Sequence, residues 1–134
     1  MRFIVMAMAS KESEAAPPPK PEAFVAMQQY NEGLVKSGVL LAAEGLTPSS
    51  KGVRVTMDGE KRTVTDGPFA EAKEVIAGFM IVQARSMEEA IELVKRAPNV
   101  SPNGHGVVEI RKLMDVEDFG DGFTPNEEIA KVKY

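Results

Sequence analysis

The stretch richest in chemistry is "VTDGPFAEAKEVIAGF", Val64 to Phe79. Asp66, Glu71, Lys73 and Glu74 surround a Gly67-Pro68 turn, and the next ten residues carry no charge. A carboxylate drawn out of water beside Phe69 has its charged form disfavoured, which raises its pKa and suits it to general acid or base work. Asp66 is the candidate for that role. Lys73 is a candidate to bind an anionic substrate, or to pair with Asp66 or Glu71. The competing reading is structural: Asp is a common turn residue because its carboxylate accepts N–H groups of its own turn, and the other charges are then solvated.

A second pair sits near the C-terminus in "GVVEIRKLM", Gly106 to Met114. Glu109 and Arg111 stand two apart on an expected strand and share a face with Val107 and Leu113. Facing a dimer cavity, they form a charge pair beside a ligand. Facing water, they are a surface pair worth about 0–1 kcal/mol. His105, the only histidine, lies in glycine-rich "PNGHGVV" and reads as an exposed turn rather than a general base. With no cysteine and one histidine, a metal site would need to be rich in carboxylates, and "DVEDFGDGF" lacks calcium-loop spacing. Ser49, Ser50 and Ser101 have no nucleophile-elbow context. "GDG" opens no convincing helix, so no phosphate-cradling loop is expected. Neither a metal nor a cofactor is expected.

These residues need elements to position them. Phe3, Ile4 and Val5 favour a first strand running to Ala9. "SKESEAAPPPKP", Ser10 to Pro21, reads as a polar, proline-rich connector. Pro21 suits the first position of a helix, Phe24, Met27, Leu34 and Val35 recur at helical spacing, and Gly38 suits the residue just past its end. Val39–Leu46 reads as a second strand. "GVRVTM" and "EKRTVTD" form a hairpin if Asp58-Gly59 is its two-residue turn, which sets Val53 against Val64 and Val55 against Arg62. The run from Val75 to Ala84 is apolar on both alternating faces, the pattern of a central strand, and Gly78 within it suggests a bulge or a close backbone approach. Ser86 and Glu89 have capping-box spacing, and Met87, Ala90, Ile91 and Val94 form the expected buried stripe of the next helix. The scattered methionines read as core filler.

The order is therefore β-α-β, hairpin, β-α-β. Two helices on one face of a mainly antiparallel sheet give an α+β, ferredoxin-like βαββαβ layout with an inserted hairpin. No third long amphipathic helix is available for the other face, so dimerisation there is expected, with a cavity enclosed between two sheets. Residues 1–114 are expected to form that domain, and 115–134 a C-terminal extension packing on the dimer, with Phe119, Phe123 and Tyr134 as anchors.

Composition narrows the function classes. The chain has 134 residues with 43% hydrophobic and 27% charged side chains, enough for one ordinary core. Its formal net charge of −4, with lysine and arginine interspersed among acids, speaks against coating nucleic acid. No stretch approaches the roughly 20 apolar residues of a membrane span. The short apolar start reads as a strand rather than a signal peptide, and a cytoplasmic protein is expected.

The 64–79 stretch resembles the signature of the DGPF-domain, or YCII-related, family. "SGVLLAAEGLTPSSKGVRV", "SMEEAIELVKRAP", "VVEIRKL" and "EDFGDGFTP" support the resemblance over roughly residues 1–125. The resemblance implies a dimeric α+β barrel of ferredoxin-like subunits and no known reaction; some relatives are linked to sigma factors of the extracytoplasmic-function class. Related proteins are thought to use a His and Asp pair, with the histidine early in the first long helix, where this chain has Ala23 in "KPEAFVAM". The last strand ends in lysine, Glu109-Ile110-Arg111-Lys112, where the family usually has proline.

Two functions are expected on these grounds. In the first, a homodimer binds a small organic metabolite between its sheets, with Asp66, Phe69, Lys73, Glu109 and Arg111 lining the site and Asp66 handling any proton. In the second, the protein is a non-enzymatic regulator or partner module, its contacts carried by the Phe119–Phe123 tail and the proline-rich loop.

Overall fold

The computed structural model describes residues 1–15, 20–71 and 74–120. Strands β1 (Arg2–Met8), β2 (Leu40–Gly45), β3 (Val53–Asp58), β4 (Lys61–Asp66), β5 (Ile76–Gln83) and β6 (Val108–Lys112) alternate with helices α1 (Lys11–Glu14), α2 (Pro21–Lys36) and α3 (Met87–Lys95). Four strands form one sheet in the order β2-β5-β1-β6, with every neighbouring pair antiparallel. β3 and β4 form a separate two-stranded sheet. The architecture is α+β and consistent with a ferredoxin-like arrangement carrying an inserted hairpin.

Alternation along the strands sends two sets of side chains to opposite faces. Phe3, Val5, Val82 and Ala84 meet Ala90 and Leu93 of α3, and Tyr30 and Leu34 of α2 pack against this cluster. The Tyr30 hydroxyl donates to the Leu93 carbonyl at 2.7 Å, tying the two helices together. Burial pushes its phenol pKa up. On the opposite face the register aligns Ala42, Ile81, Ile4 and Arg111 in one row, and Glu44, Phe79, Met6 and Glu109 in the next. That face is apolar in the middle, where Met6 and Ile81 are buried, and charged at both edges.

Several local expectations hold. Pro21 opens α2, and Gly38 follows it with φ +74°. β5 is central, with a bulge opposite Ala7 and Met8. A Cβ at Gly78 would lie 3.1 Å from the Glu44 carbonyl oxygen, so the neighbouring backbone does come close.

Other details correct the sequence reading. The connector after β1 begins with the short helix α1, because Ser10 and Ser13 cap each other: each backbone N–H donates to the other's hydroxyl, at 2.7 and 3.1 Å. The hairpin turns at Gly59-Glu60 rather than Asp58-Gly59. Gly59, with φ +57°, takes the first central position and Asp58 faces Lys61, so Val55 faces Val64 and Val53 faces Asp66. The slide is two residues, which leaves the same side chains on the same face. At α3 the Ser86 hydroxyl accepts the Glu89 N–H, but the Glu89 carboxylate turns to Arg85, at 2.9 Å from Nε, so only half a capping box forms. Leu93 takes the buried place expected of Ile91, which is exposed. Among the methionines, Met57 stands out at 70% exposed and fills no core.

Beyond β6, Val116–Phe119 forms a 3-10 turn. Lys112 Nζ reaches Asp118 at 3.0 Å and Asp115 at 3.5 Å, fastening the turn to the strand. Phe119 is exposed, while Phe123 and Tyr134 lie outside the described residues. Among the described residues, no helix is long and apolar enough to cross a membrane.

Candidate functional site

The turn containing Asp66, Gly67, Pro68 and Phe69 is built around a residue that local spacing does not single out. Ser49 is the one polar residue buried among those described, 6% exposed, in the short turn after β2. Its backbone N–H donates to Glu14 Oε2 at 3.0 Å, and its hydroxyl donates to Glu14 Oε1. The same hydroxyl accepts the Phe69 N–H at 3.2 Å. These bonds from Ser49, the hydroxyl first, hold the Glu14 carboxyl below the usual carboxylate range. Gly67 donates its N–H to the Gly52 carbonyl at 2.9 Å and is pressed so closely on Ser49 that a Cβ would sit 1.8 Å from the Ser49 carbonyl oxygen. The glycine of the motif is therefore required by close backbone approach, and the Gly67-Pro68 peptide bond is cis.

This packing separates residues that the sequence groups in one candidate site. Phe69 is half-buried, with the Arg54 guanidinium 3.8 Å above its ring centre. Arg54 belongs to the wholly polar hairpin face, with Thr56, Asp58, Lys61, Thr63 and Thr65. Asp66 belongs to the other face, with Val53, Val55, Met57, Arg62 and Val64. Asp66 is exposed, and its carboxylate neither bonds its own turn nor pairs with any described side chain. Ser49 supplies the bonding that the structural reading assigned to Asp66.

Glu109 and Arg111 are both exposed on β6, on the sheet face away from the helices, beside Met6 and Ile4 respectively. Neither pairs with another described side chain. Ile110, between them on β6, turns to the helix side and packs against the core. Lys73 lies outside the described residues.

Three cavities are lined by other groups. One of about 380 Å³ opens between the helices and the sheet, walled by Val5, Met27, Tyr30, Met80, Val94 and Val108. One of about 650 Å³ lies at the sheet end and includes Lys11, Glu71, Glu74 and His105. One of about 860 Å³ brings Ala23 and Phe24 of α2 to the loop around Asn99–Gly104. Asp66, Phe69, Glu109 and Arg111 line none of these three. No group of three or more His, Cys, Asp or Glu able to hold a metal is found among the described residues.

Sequence reasoning missed Ser49 and Glu14. The signal for them is weak, since the bonds span 35 residues from Glu14 to Ser49 and 20 from Ser49 to Phe69. The one local hint is a serine pair placed between a strand and a hairpin, where turns need side-chain acceptors.

With this geometry in place, comparison with known proteins assigns the family. The YCII-related domain matches residues 1–117, and the chain belongs to that family. An uncharacterised protein of Rhizobium meliloti (strain 1021) is 32% identical over 79 residues, covering 59% of this chain and 63% of that relative.

Proposed function

We propose that this YCII-related protein works as a homodimer that binds a small organic metabolite between the open faces of its two sheets, in the manner of a dimeric α/β barrel. The observation that carries this reading is the face opposite the helices. Its apolar centre is bordered by Glu109 and Arg111, which have no side-chain partner among the described residues. A face of that composition suits burial against a second copy, with the edge charges left for a ligand.

The hairpin supports the same reading. A two-stranded sheet is marginal by itself in water. Val53, Val55, Met57 and Val64 share one of its faces and are each more than half exposed. Burying one such side chain is worth about 1.5–3 kcal/mol. Asp66 stands on that face, so a partner docking there brings its carboxylate under cover. Proton exchange with the ligand, where chemistry occurs, is assigned to Asp66.

The test combines mass and ligand response. Sedimentation velocity is expected to give a dimer for the wild type and a monomer for Val55→Lys/Val64→Glu. A thermal-shift screen of metabolites is expected to give a ligand whose stabilisation falls in Asp66→Asn and Arg111→Gln, with binding at 100 times Kd adding about 2.7 kcal/mol. A monomeric wild type, or a ligand bound equally by both variants, would end this reading.

A further inference from the structure

The core does not fill all the space between the helices and the sheet. On that face Phe3 and Val82 stand side by side, 1% and 0% exposed, and pack against Ala90 and Leu93. Further along the strands come Val5, Met80 and Ala43 in one row, then Ala7, Gly78 and Gly45 in the next. The cavity of about 380 Å³ lies over these two rows, roofed by Met27, Tyr30 and Asn31 of α2 and by Val94 of α3. No residue of α2 is buried. The helix reaches the core through Tyr30 and Leu34 and leaves the space beneath Met27 open. Gly45 adds to that space without any backbone need for glycine: its φ is not positive, and a Cβ there would meet nothing within 4 Å.

The walls fix the chemistry of an occupant. Glu44 also borders the cavity, but the register puts its side chain on the other face of the sheet, with Phe79 and Met6. No other lining residue is charged. An ion placed here would lose its hydration with no opposite charge to replace it. The polar side-chain groups on the wall are the Tyr30 hydroxyl, which donates to the Leu93 carbonyl, and the Asn31 amide, which bonds no described group. Both sit at adjacent positions of one helix, so ordered water lacks the partners it needs on the remaining sides.

We propose that this cavity binds a small, uncharged, largely apolar compound bearing one hydroxyl or carbonyl group. The carbon body packs against Val5, Met27, Met80 and Val94, and the Asn31 amide takes the polar end. Small-molecule sites occupy about 300–1,000 Å³ and combine mostly apolar walls with a few polar groups, as this one does. The cavity is on the helix side of the sheet, whereas Glu109 and Arg111 are on the open face, so the two sites are separate.

Met27 and Met80 both line the cavity, so their methyl groups report on it. The full chain is labelled with carbon-13 at its methionine methyls, and the two signals are assigned through Met27→Leu and Met80→Leu. It is then titrated with hexan-1-ol, hexanoate and hexylammonium. Hexan-1-ol is expected to move both signals saturably, and each ion to bind about tenfold more weakly or not at all. Gly45→Leu puts a side chain into the open space and is expected to abolish the response without lowering Tm. Ala43→Leu, at an exposed position of the same wall, repeats that test if the first variant does not fold. Asn31→Ala is expected to weaken hexan-1-ol about fivefold, the worth of one neutral hydrogen bond. No saturable response to hexan-1-ol overturns the proposal, as does an equal response to either ion or an unchanged response in the folded cavity-filling variant. Asp66→Asn and Arg111→Gln are expected to leave the response intact. Its loss in either would place hexan-1-ol at the open face and overturn the assignment here, so the two sites fail separately.

Discussion

Replacing Ser49 with alanine removes the centre of the motif turn while leaving the motif itself intact. The hydroxyl donates to Glu14 and accepts from Phe69, and the residue is buried. The variant leaves one N–H and one carboxylate oxygen without their partner. An unsatisfied buried group costs about 1–3 kcal/mol, which puts Ser49→Ala near 2 kcal/mol. For a chain of this length that corresponds to a fall of about 6–10 °C in Tm.

Glu14 adds a pH signature with a definite sign. Its folded pKa is depressed by Ser49, so its contribution to stability is fully present above the unfolded value of 4.5 and is lost as pH falls through the folded value. Urea unfolding of wild type, Ser49→Ala, Glu14→Gln and the double variant is the assay. At neutral pH the two substitutions are expected to be non-additive, since they remove the same contact. The gap between wild type and Glu14→Gln is expected to narrow as the pH drops below 4.5. A Ser49→Ala variant within about 0.5 kcal/mol of wild type, the range of ordinary surface substitutions, would refute the assignment of Ser49 as the turn's anchor. So would additive effects of the two substitutions.

Other substitutions test the packing by thermal or urea unfolding. Gly67→Ala forces a Cβ into the Ser49 backbone and is expected to cost about 3 kcal/mol or more, or to prevent folding. Gly33→Ala, in the middle of α2 with nothing within 4 Å, is expected to stabilise by about 0.5–1 kcal/mol. Phe3→Ala empties a site that is 1% exposed and is expected to cost about 3–5 kcal/mol. Tyr30→Phe removes the bond to Leu93 and is expected to cost about 1 kcal/mol, while phenol absorbance in the wild type titrates above the ordinary value of 10.0.

The parts of this fold that were legible in the sequence are those specified by neighbours in the chain. The unbroken apolar run Val75–Ala84 identified a central strand, and Pro21 with Gly38 bracketed α2, because each signal lies within a local stretch of chain. The hairpin was visible but its register was not. "DGE" offers two places for a two-residue turn, and the choice depends on which places Asp58 opposite Lys61 and lets Arg62 Nη1 reach the Gly59 carbonyl, at 2.7 Å. The stripe of α3 was displaced for a similar reason: Ile91 keeps helical spacing with Met87 and Val94, Leu93 keeps it with Ala90, and only the position of the sheet decides which is buried. The Glu14–Ser49–Phe69 connection was out of reach of any local signal, since three separate segments meet there.

That connection changes what the DGPF signature means physically. Gly67 is fixed by contact with Ser49, the Phe69 N–H is held by its hydroxyl, and the Phe69 ring is held under Arg54. Two of the motif's residues therefore lock the hairpin base to the loop after β2 and have structural employment. Asp66 has none among the described residues, yet it is carried on the same rigid turn and displayed on the apolar face of the hairpin. A carboxylate with no partner among the described residues, carried on an ordered support, is compatible with the role proposed for it above. Asp66→Asn is accordingly expected to leave the urea midpoint of the isolated protein unchanged, while Gly67→Ala is expected to lower it sharply. A large loss of stability in Asp66→Asn would mean that the aspartate holds the turn after all, and would remove it from the candidate site.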